Sequence, residues 1–181
     1  DVCSSDLGNG PTNPNAVTGL PDAIKTPGQQ AKLITYSTSA QQAGNKIRWT
    51  PQAYYYNGPF GLLAEYAESK FDIISGSSIA NNVQNNAWHV TGSWVLTGEK
   101  ASYGAVKPKN VFNPDGAGWG ALEIVGRYQE INFDDKLFDG TATWLKASTN
   151  QSKSAQAWAL GANWYLNNNI KVVADYEVTT F

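Results

Sequence analysis

The feature that most constrains this chain is an alternation of apolar and polar residues that recurs from residue 47 to residue 181. Such alternation is typical of β-strands with one apolar face and one polar face, and these stretches lack the helical period. Each stretch is about 10 residues long, the length that a tilted strand needs to cross a bilayer. Strands of this kind must close into a barrel in a membrane, because an open edge leaves backbone groups unpaired in lipid. The stretches cover residues 47–56, 62–71, 87–97, 120–133, 154–166 and 170–181.

We therefore predict an all-β fold, an antiparallel transmembrane β-barrel to which this chain contributes about seven strands. The alternation also assigns the two faces of each strand. In residues 120–133, Leu122 and Ile124 share one face, and Glu123 and Arg127 share the other. The charged face suits a water-filled lumen, and the apolar face suits lipid.

Composition excludes several classes of protein. The net charge of −2 argues against a nucleic-acid binder, which normally shows a basic excess. No run of about 18 apolar residues is present, so we predict no transmembrane helix. The aromatic residues number 7 Trp, 9 Tyr and 6 Phe, which is enough to supply girdles at two membrane interfaces.

The sequence offers no catalytic or metal-binding pattern. Cys3 is the only cysteine and His89 the only histidine, so neither a disulfide framework nor a metal site can be built from them. Asp134 and Asp135 lie in a polar segment with no partner base, and we interpret them as solvated loop residues. We expect no enzyme, no cofactor and no metal, and we interpret His89 as a lumen or wall residue.

The chain divides into two parts. Residues 1–7, DVCSSDL, resemble a translated adapter, and we interpret them as a non-native scar. We interpret residues 8–181 as the C-terminal part of one barrel domain. Within it we predict loops at 8–29, 72–85 and 134–153, a first strand at 31–37 and a polar turn at 38–46.

Connection lengths assign the two ends of the sheet. The tight turns at 57–61 and 167–169 fall on one side by strand parity, and the longer loops at 72–85 and 134–153 fall on the other. Outer-membrane barrels have short periplasmic turns and long outer loops. Residues 98–118 lie on the short-turn side but are long and irregular, so we expect them to fold into the pore.

The candidate anion-pathway residues are Lys100, Lys107 and Lys109, because no acidic residue occurs from position 100 to position 114. Rings of lysine or arginine can give a pore anion selectivity. The alternative is an ordinary solvated loop. Arg48 and Arg127 are lumen candidates by alternation, although we favour a neutralising wall ion pair for Arg127. Glu99 either holds Lys100 or is a turn residue.

Several uncommon strings occur in one collinear order between residues 20 and 181. They are TPGQ at 26–29, TPQAYYYNGPFG at 50–61, LTGE at 96–99, VKPKNVFNP at 106–114, GWGALEIVGRY at 118–128 and WALGANWYLNNNIKVVADYE at 158–177. Together they resemble the phosphate-selective porin O and P family. The resemblance implies a sixteen-stranded barrel, of which this chain is an incomplete C-terminal set of strands. It also implies a homotrimer in the outer membrane of a Gram-negative bacterium, surrounded by outer-membrane lipid.

The resemblance further implies passive diffusion of phosphate, pyrophosphate or related polyphosphate anions through a basic lumen. It places Lys100, Lys107 and Lys109 on an inward-folded connection that forms part of a lysine ladder. Two alternatives stay open. One is a general or differently selective porin, and the other is a soluble β-sandwich that binds carbohydrate through aromatic residues. We favour an interface girdle for residues 54–56, Trp158, Trp164 and Tyr165.

Overall fold

The computed structural model describes residues 20, 23–26, 30–140, 144–147 and 151–181. Their architecture is all-β and antiparallel, with one seven-stranded sheet and one separate two-stranded sheet. The strands are β1 (Ala23–Lys25), β2 (Lys32–Thr35), β3 (Ala40–Trp49), β4 (Gln52–Asn57), β5 (Phe60–Ser75), β6 (Ser78–Val95), β7 (Ala121–Asn132), β8 (Ser154–Tyr165) and β9 (Lys171–Thr180). The main sheet runs β3–β5–β6–β7–β8–β9, with β4 also paired to β5, and it stays open at both edges.

The predicted strand at 47–56 is two strands, because Pro51 interrupts it. β3 pairs with residues 68–75 of β5, and β4 pairs with residues 60–65 of the same strand. Proline has no N–H for a strand ladder and is tolerated in a sheet on edge strands. The Pro51 carbonyl still accepts a hydrogen bond from the Tyr66 N–H at 3.1 Å, so the two halves stay aligned along β5.

Two predicted loops are wrong. Residues 72–85 form the end of one long hairpin, since β5 continues to Ser75 and β6 begins at Ser78. Gly76, with φ of +60°, provides the left-handed conformation of the turn. The predicted polar turn at 38–46 belongs mostly to β3, where the register shifts beside Gly44. These stretches are polar because they extend past the apolar belt described below.

The predicted first strand at 31–37 is also placed differently. β2 pairs with β1 in the small sheet and takes no part in the main one. The predicted loop at 8–29 therefore contains a strand, while its other residues up to 19 lie outside the described part of the chain, as does the predicted scar at 1–7. The predicted loop at 134–153 contains a short 3-10 helix, Asp135–Leu137, and a single bridge between Tyr36 and Leu145.

The larger apolar core lies at the β5–β6 hairpin end of the sheet. The small sheet, which we call the cap, packs there against the main sheet together with the β7–β8 connection. The buried members of this core are Leu20, Leu33, Ile34, Tyr36, Ala40, Phe71, Ile73, Val83, Phe133, Leu137, Trp144 and Ala155.

Strand register confirms the predicted faces. One face, the inner face, carries Glu123 and Arg127 of β7 with their partners Asn163 and Ala159 on β8. The opposite, outer face carries two rows of aromatic rings. The row nearer the cap contains Tyr66, Trp88, Tyr128 and Trp158, and the other row contains Phe60, Trp94 and Trp164.

The two aromatic rows bound an uninterrupted apolar belt. Trp88 and Trp94 lie six positions apart on β6, as do Trp158 and Trp164 on β8, which places the rows about 20 Å apart along the strands. On β5 to β8, every outward-facing residue between the rows is Leu, Ile, Val, Ala or Gly. Rings within a row touch: Trp88 and Tyr128 have centroids 5.3 Å apart, and Phe60 and Trp94 5.8 Å apart.

Among the described residues, no helix has the length and apolar character required to cross a bilayer.

Candidate functional site

Residues 98–118, which we call the strap, cross the inner face at the end opposite the cap. The strap contains no strand, as its glycine and proline content predicts. The Ala101 N–H donates to the Gly58 carbonyl at 2.8 Å, and the Phe112 N–H donates to the Leu166 carbonyl at 2.7 Å. Gly58 belongs to the β4–β5 turn and Leu166 follows β8, so the strap bridges two turns that lie on opposite sides of β6 and β7.

Apolar contacts hold the strap against the wall of strands. Ala101 and Val106 of the strap are buried with three inner-face residues, Val95, Ala121 and Tyr165. Because these three side chains project to the same side as Glu123 and Arg127, the strap lies on the inner face. The expectation that residues 98–118 fold inward is confirmed for this part of the wall.

Glu99 anchors the first part of the strap. Its side chain is only 5% exposed, accepts a hydrogen bond from the Thr97 hydroxyl, and accepts another from the Lys109 N–H at 3.2 Å. Burial opposes ionisation, but these hydrogen bonds and the nearby Lys109 charge prevail, and the pKa of Glu99 lies below its ordinary value. Glu99 therefore fixes the segment around Lys109. The sequence predicted instead that Glu99 holds Lys100 or is a turn residue.

The three lysines of the strap differ in their contacts. The Lys109 ammonium donates to the Gly98 carbonyl at 2.8 Å, so it closes the loop that Glu99 also holds. Lys100 and Lys107 are exposed, and neither has a hydrogen-bond or ion-pair partner among the described residues. Two free ammonium groups thus remain to attract an anion.

The wall itself is more acidic than basic. Glu123 is buried and accepts hydrogen bonds from Asn163 and the Tyr165 hydroxyl, each at 3.0 Å. The part of the inner face that extends from the aromatic row nearer the cap to the β8–β9 turn carries four acidic residues and two basic ones. They are Glu65, Glu123, Asp175 and Glu177 against Arg127 and Lys171. In this segment the basic groups concentrate on the strap, and the wall does not make the lumen basic.

Arg127 lies on the inner face as predicted, but the favoured wall ion pair is wrong. The two ion pairs in the described part of the chain join Lys136 to Asp134 and Lys153 to Asp135. Arg127 lines a cavity of about 220 Å³ below the cap and also a cleft of about 580 Å³ beside the strap. Arg127 therefore lies between the two inner-face spaces and has no ion-pair partner in the part of the chain that the structure describes.

Arg48 also lies on the inner face, because it pairs with Ser69 on β5. Its position is nearer the cap than the aromatic row that contains Tyr66, so the structure separates it from the strap lysines. His89 pairs with Glu65 and Gln129 across the inner face. The prediction of a lumen or wall residue is confirmed, since His89 lies in β6 on the inner face. Among the described residues, no three His, Cys, Asp or Glu side chains are grouped as a metal site would require.

The tyrosines and tryptophans do not all belong to the girdle. Trp158 and Trp164 project outward as predicted, and Tyr55 does so too, since it pairs with Leu62. Tyr54 and Tyr56 project inward, and Tyr54 contacts Tyr103 of the strap.

The girdle interpretation is therefore wrong for Tyr54 and Tyr56, and it is also wrong for Tyr165, which is buried beneath the strap. Strict alternation along residues 54–56 contained the signal that separates them. Lys171 also lines the cleft of about 580 Å³, and alternation along β9 places it on the inner face, although it is absent from the predicted site residues.

Two comparisons relate this chain to known proteins. The family model described as phosphate-selective porin O and P matches residues 21–179. Porin O of Pseudomonas aeruginosa is 29% identical over 130 residues, which are 71% of this chain and 28% of Porin O. The chain therefore spans less than a third of the length of that curated relative.

Proposed function

Because this chain belongs to the phosphate-selective porin O and P family, we propose that it is part of a porin that passes phosphate by passive diffusion. Membership of a porin family points to a channel and not to an enzyme. The proposal covers the full-length protein, its location in the outer membrane of a Gram-negative bacterium, and assembly as a homotrimer. It treats residues 8–181 as one part of a single barrel domain.

The outer face supports a place in a membrane. An apolar belt between two aromatic rows matches the surface that transmembrane barrels present to lipid. Trp94 and Leu160 in or beside this belt are exposed, and no described element covers them. A soluble β-sandwich would bury this face against a second sheet, so the exposed belt argues against the carbohydrate-binding alternative.

The observation that carries the proposed anion preference is the pair of exposed ammonium groups at Lys100 and Lys107 on the strap, for which the described part of the chain provides no partner. Lysine is a strongly hydrated point charge that attracts phosphate without fixing it in one geometry. A permeating ion must bind well enough to enter and weakly enough to leave, and several such sites in series meet both needs. Arg127 extends the series along the wall toward the cap.

The test is phosphate block of chloride conductance through the full-length porin in planar bilayers. We expect Lys100→Gln with Lys107→Gln to weaken phosphate binding by about fivefold per lysine, the effect of one charge at contact distance in water. Lys70→Gln is the matched control, because Lys70 is exposed on the outer face of β5, away from the strap. Equal phosphate affinity in the double variant and the control would overturn the proposed role of the strap. Block by pyrophosphate in the same series tests whether longer anions use the same lysines.

A general or differently selective porin is the second candidate, and the acidic wall favours it. If the wall charges dominate the potential in the pore, the segment would favour cations in spite of the strap. Reversal potentials in a salt gradient separate the two candidates, because the strap lysines predict anion preference and the wall predicts its absence.

A further inference from the structure

Three tyrosines meet where the strap crosses the edge of the wall. Tyr54 and Tyr56 project from the inner face of β4, with ring centroids 6.0 Å apart. The strap brings Tyr103 against Tyr54, and the centroids of these two rings are 5.5 Å apart. The Ala101 hydrogen bond to Gly58 fixes this approach, because it joins the strap to the turn at the end of β4.

The rings of this cluster face open space. Tyr54 is 63% exposed and Tyr103 is 61% exposed, although each touches another ring. Contacts with protein thus use only part of each ring and leave aromatic surface free. Such surface stacks on other planar groups through offset or tilted contacts.

Cations occur near the same position. Lys100 precedes Tyr103 by three residues and Lys107 follows it by four, which keeps both within about 15 Å of Tyr103 along the chain. Tyr56 and Tyr103 line the cleft of about 580 Å³, and the wall lines it with two cations, Arg127 and Lys171, and two carboxylates, Glu65 and Glu123. A cleft of this size lies in the range of sites that hold small organic molecules, roughly 300 to 1,000 Å³, and exceeds what a bare phosphate ion needs.

We propose that Tyr54, Tyr56 and Tyr103 bind the planar organic group of a phosphate monoester while cations of the strap hold its phosphoryl group. The inference rests on the proposed function, since it assumes that the strap lysines attract phosphate. It adds a substrate class: aromatic phosphate esters bind in this pore more tightly than aliphatic esters of equal charge.

Phenyl phosphate and methyl phosphate are suitable probes, because they share the charged group and differ in the ring. The full-length porin is held in a planar bilayer, and block of chloride conductance gives the affinity of each ester and of inorganic phosphate. We expect phenyl phosphate to bind at least about fivefold more tightly than methyl phosphate, the lower end of stacking effects per ring. Tyr54→Leu with Tyr103→Leu should remove this ratio and leave inorganic phosphate affinity unchanged.

Tyr55→Leu is the matched control, because Tyr55 lies between the two β4 tyrosines but projects from the outer face. The proposal is overturned if the ratio is near one in the parent porin, or if the control loses it as fully as the double variant. Absence of block by inorganic phosphate would instead contradict the proposed function itself. Single Tyr103→Leu changes only the strap, and it should lower the ratio even where the double variant folds poorly.

Discussion

The wall and the strap of this molecule carry opposite charge and are held in different ways. The wall is a hydrogen-bonded sheet whose inner face has more carboxylates than cations, and its buried Glu123 is satisfied by Asn163 and Tyr165. The strap has no sheet pairing and lies on the wall through a few buried residues. It exposes two lysines that have no partner among the residues the structure describes. The comparison teaches that the basic groups of such a structure can reside in an irregular segment, while the regular strands supply shape and an apolar outer face.

Detaching the strap from the wall is the strongest test of this difference between the two regions. Val106 is 2% exposed against the wall, whereas Val111 of the same strap is 53% exposed. We expect Val106→Asp to release the strap, because burying an unpaired carboxylate costs several kcal/mol. Single-channel conductance should rise and phosphate block should be lost, while Val111→Asp should keep both near their original values. Retained block in Val106→Asp would mean that the wall alone binds the anion.

A smaller effect is expected from the anchor at Glu99. Glu99→Gln removes a charge-assisted hydrogen bond, a loss of about 1.5 to 3 kcal/mol in a buried setting, and should loosen the strap without freeing it. We expect noisier open-channel current and weaker phosphate block. Asp115→Asn removes the same charge from an exposed position of the strap and is the control. If both variants behave alike, the effect comes from charge alone and the anchoring role is wrong.

The same anchor predicts a pH dependence with a definite sign. Because the pKa of Glu99 is depressed in the folded protein, its stabilising contribution is complete above the ordinary glutamate pKa. That contribution is lost as the pH falls through the depressed value. Current noise in the parent porin should therefore increase only in strongly acidic buffer. Glu99→Gln should be noisy at neutral pH and should lack this acid transition, which a titration of current noise measures directly.

The three strap lysines offer a finer comparison. We expect Lys107→Gln to weaken phosphate block by about fivefold. Lys109→Gln should weaken it less, because the Lys109 ammonium is already committed to the Gly98 carbonyl. The affinities of the two single variants for phosphate, measured in the same salt, decide the matter. A larger loss for Lys109 would show that its bond to Gly98 opens when an anion arrives.

Much of the wall could be predicted from sequence, and the reason is physical. On β7, β8 and β9, an apolar outer face and a polar inner face impose strict alternation, so the predicted segment ends lie within one residue of the observed ones. The tip of the β5–β6 hairpin was missed because it lies beyond the belt, where Asn81 and Asn82 face water and no alternation is required. The polar half of β3 was missed for the same reason.

The strap could be recognised as irregular but its path could not be predicted. Its position depends on backbone hydrogen bonds to Gly58 and Leu166, which are distant in sequence and leave no pattern in composition. The lysines of the strap were visible as a run without acids. The sequence does not show which of these lysines lacks a partner, because that depends on the contacts that Lys109 makes with Glu99 and Gly98. The inward direction of Tyr54 and Tyr56 differs from the prediction for another reason. A single girdle role for residues 54–56 ignores the alternation of neighbouring side chains along a strand.

The smallest predicted effect is on the wall. Asp175 is exposed on the inner face of β9. Asp175→Asn removes one acidic charge from a position in contact with water, where screening within about 10 Å weakens its influence on an ion at the strap. We expect the anion-to-cation permeability ratio, taken from reversal potentials, to rise by less than about twofold. Lys107→Gln should lower the same ratio by a larger factor. If the Asp175 change is the larger of the two, selectivity follows the wall, and the contrast drawn between the two regions is wrong.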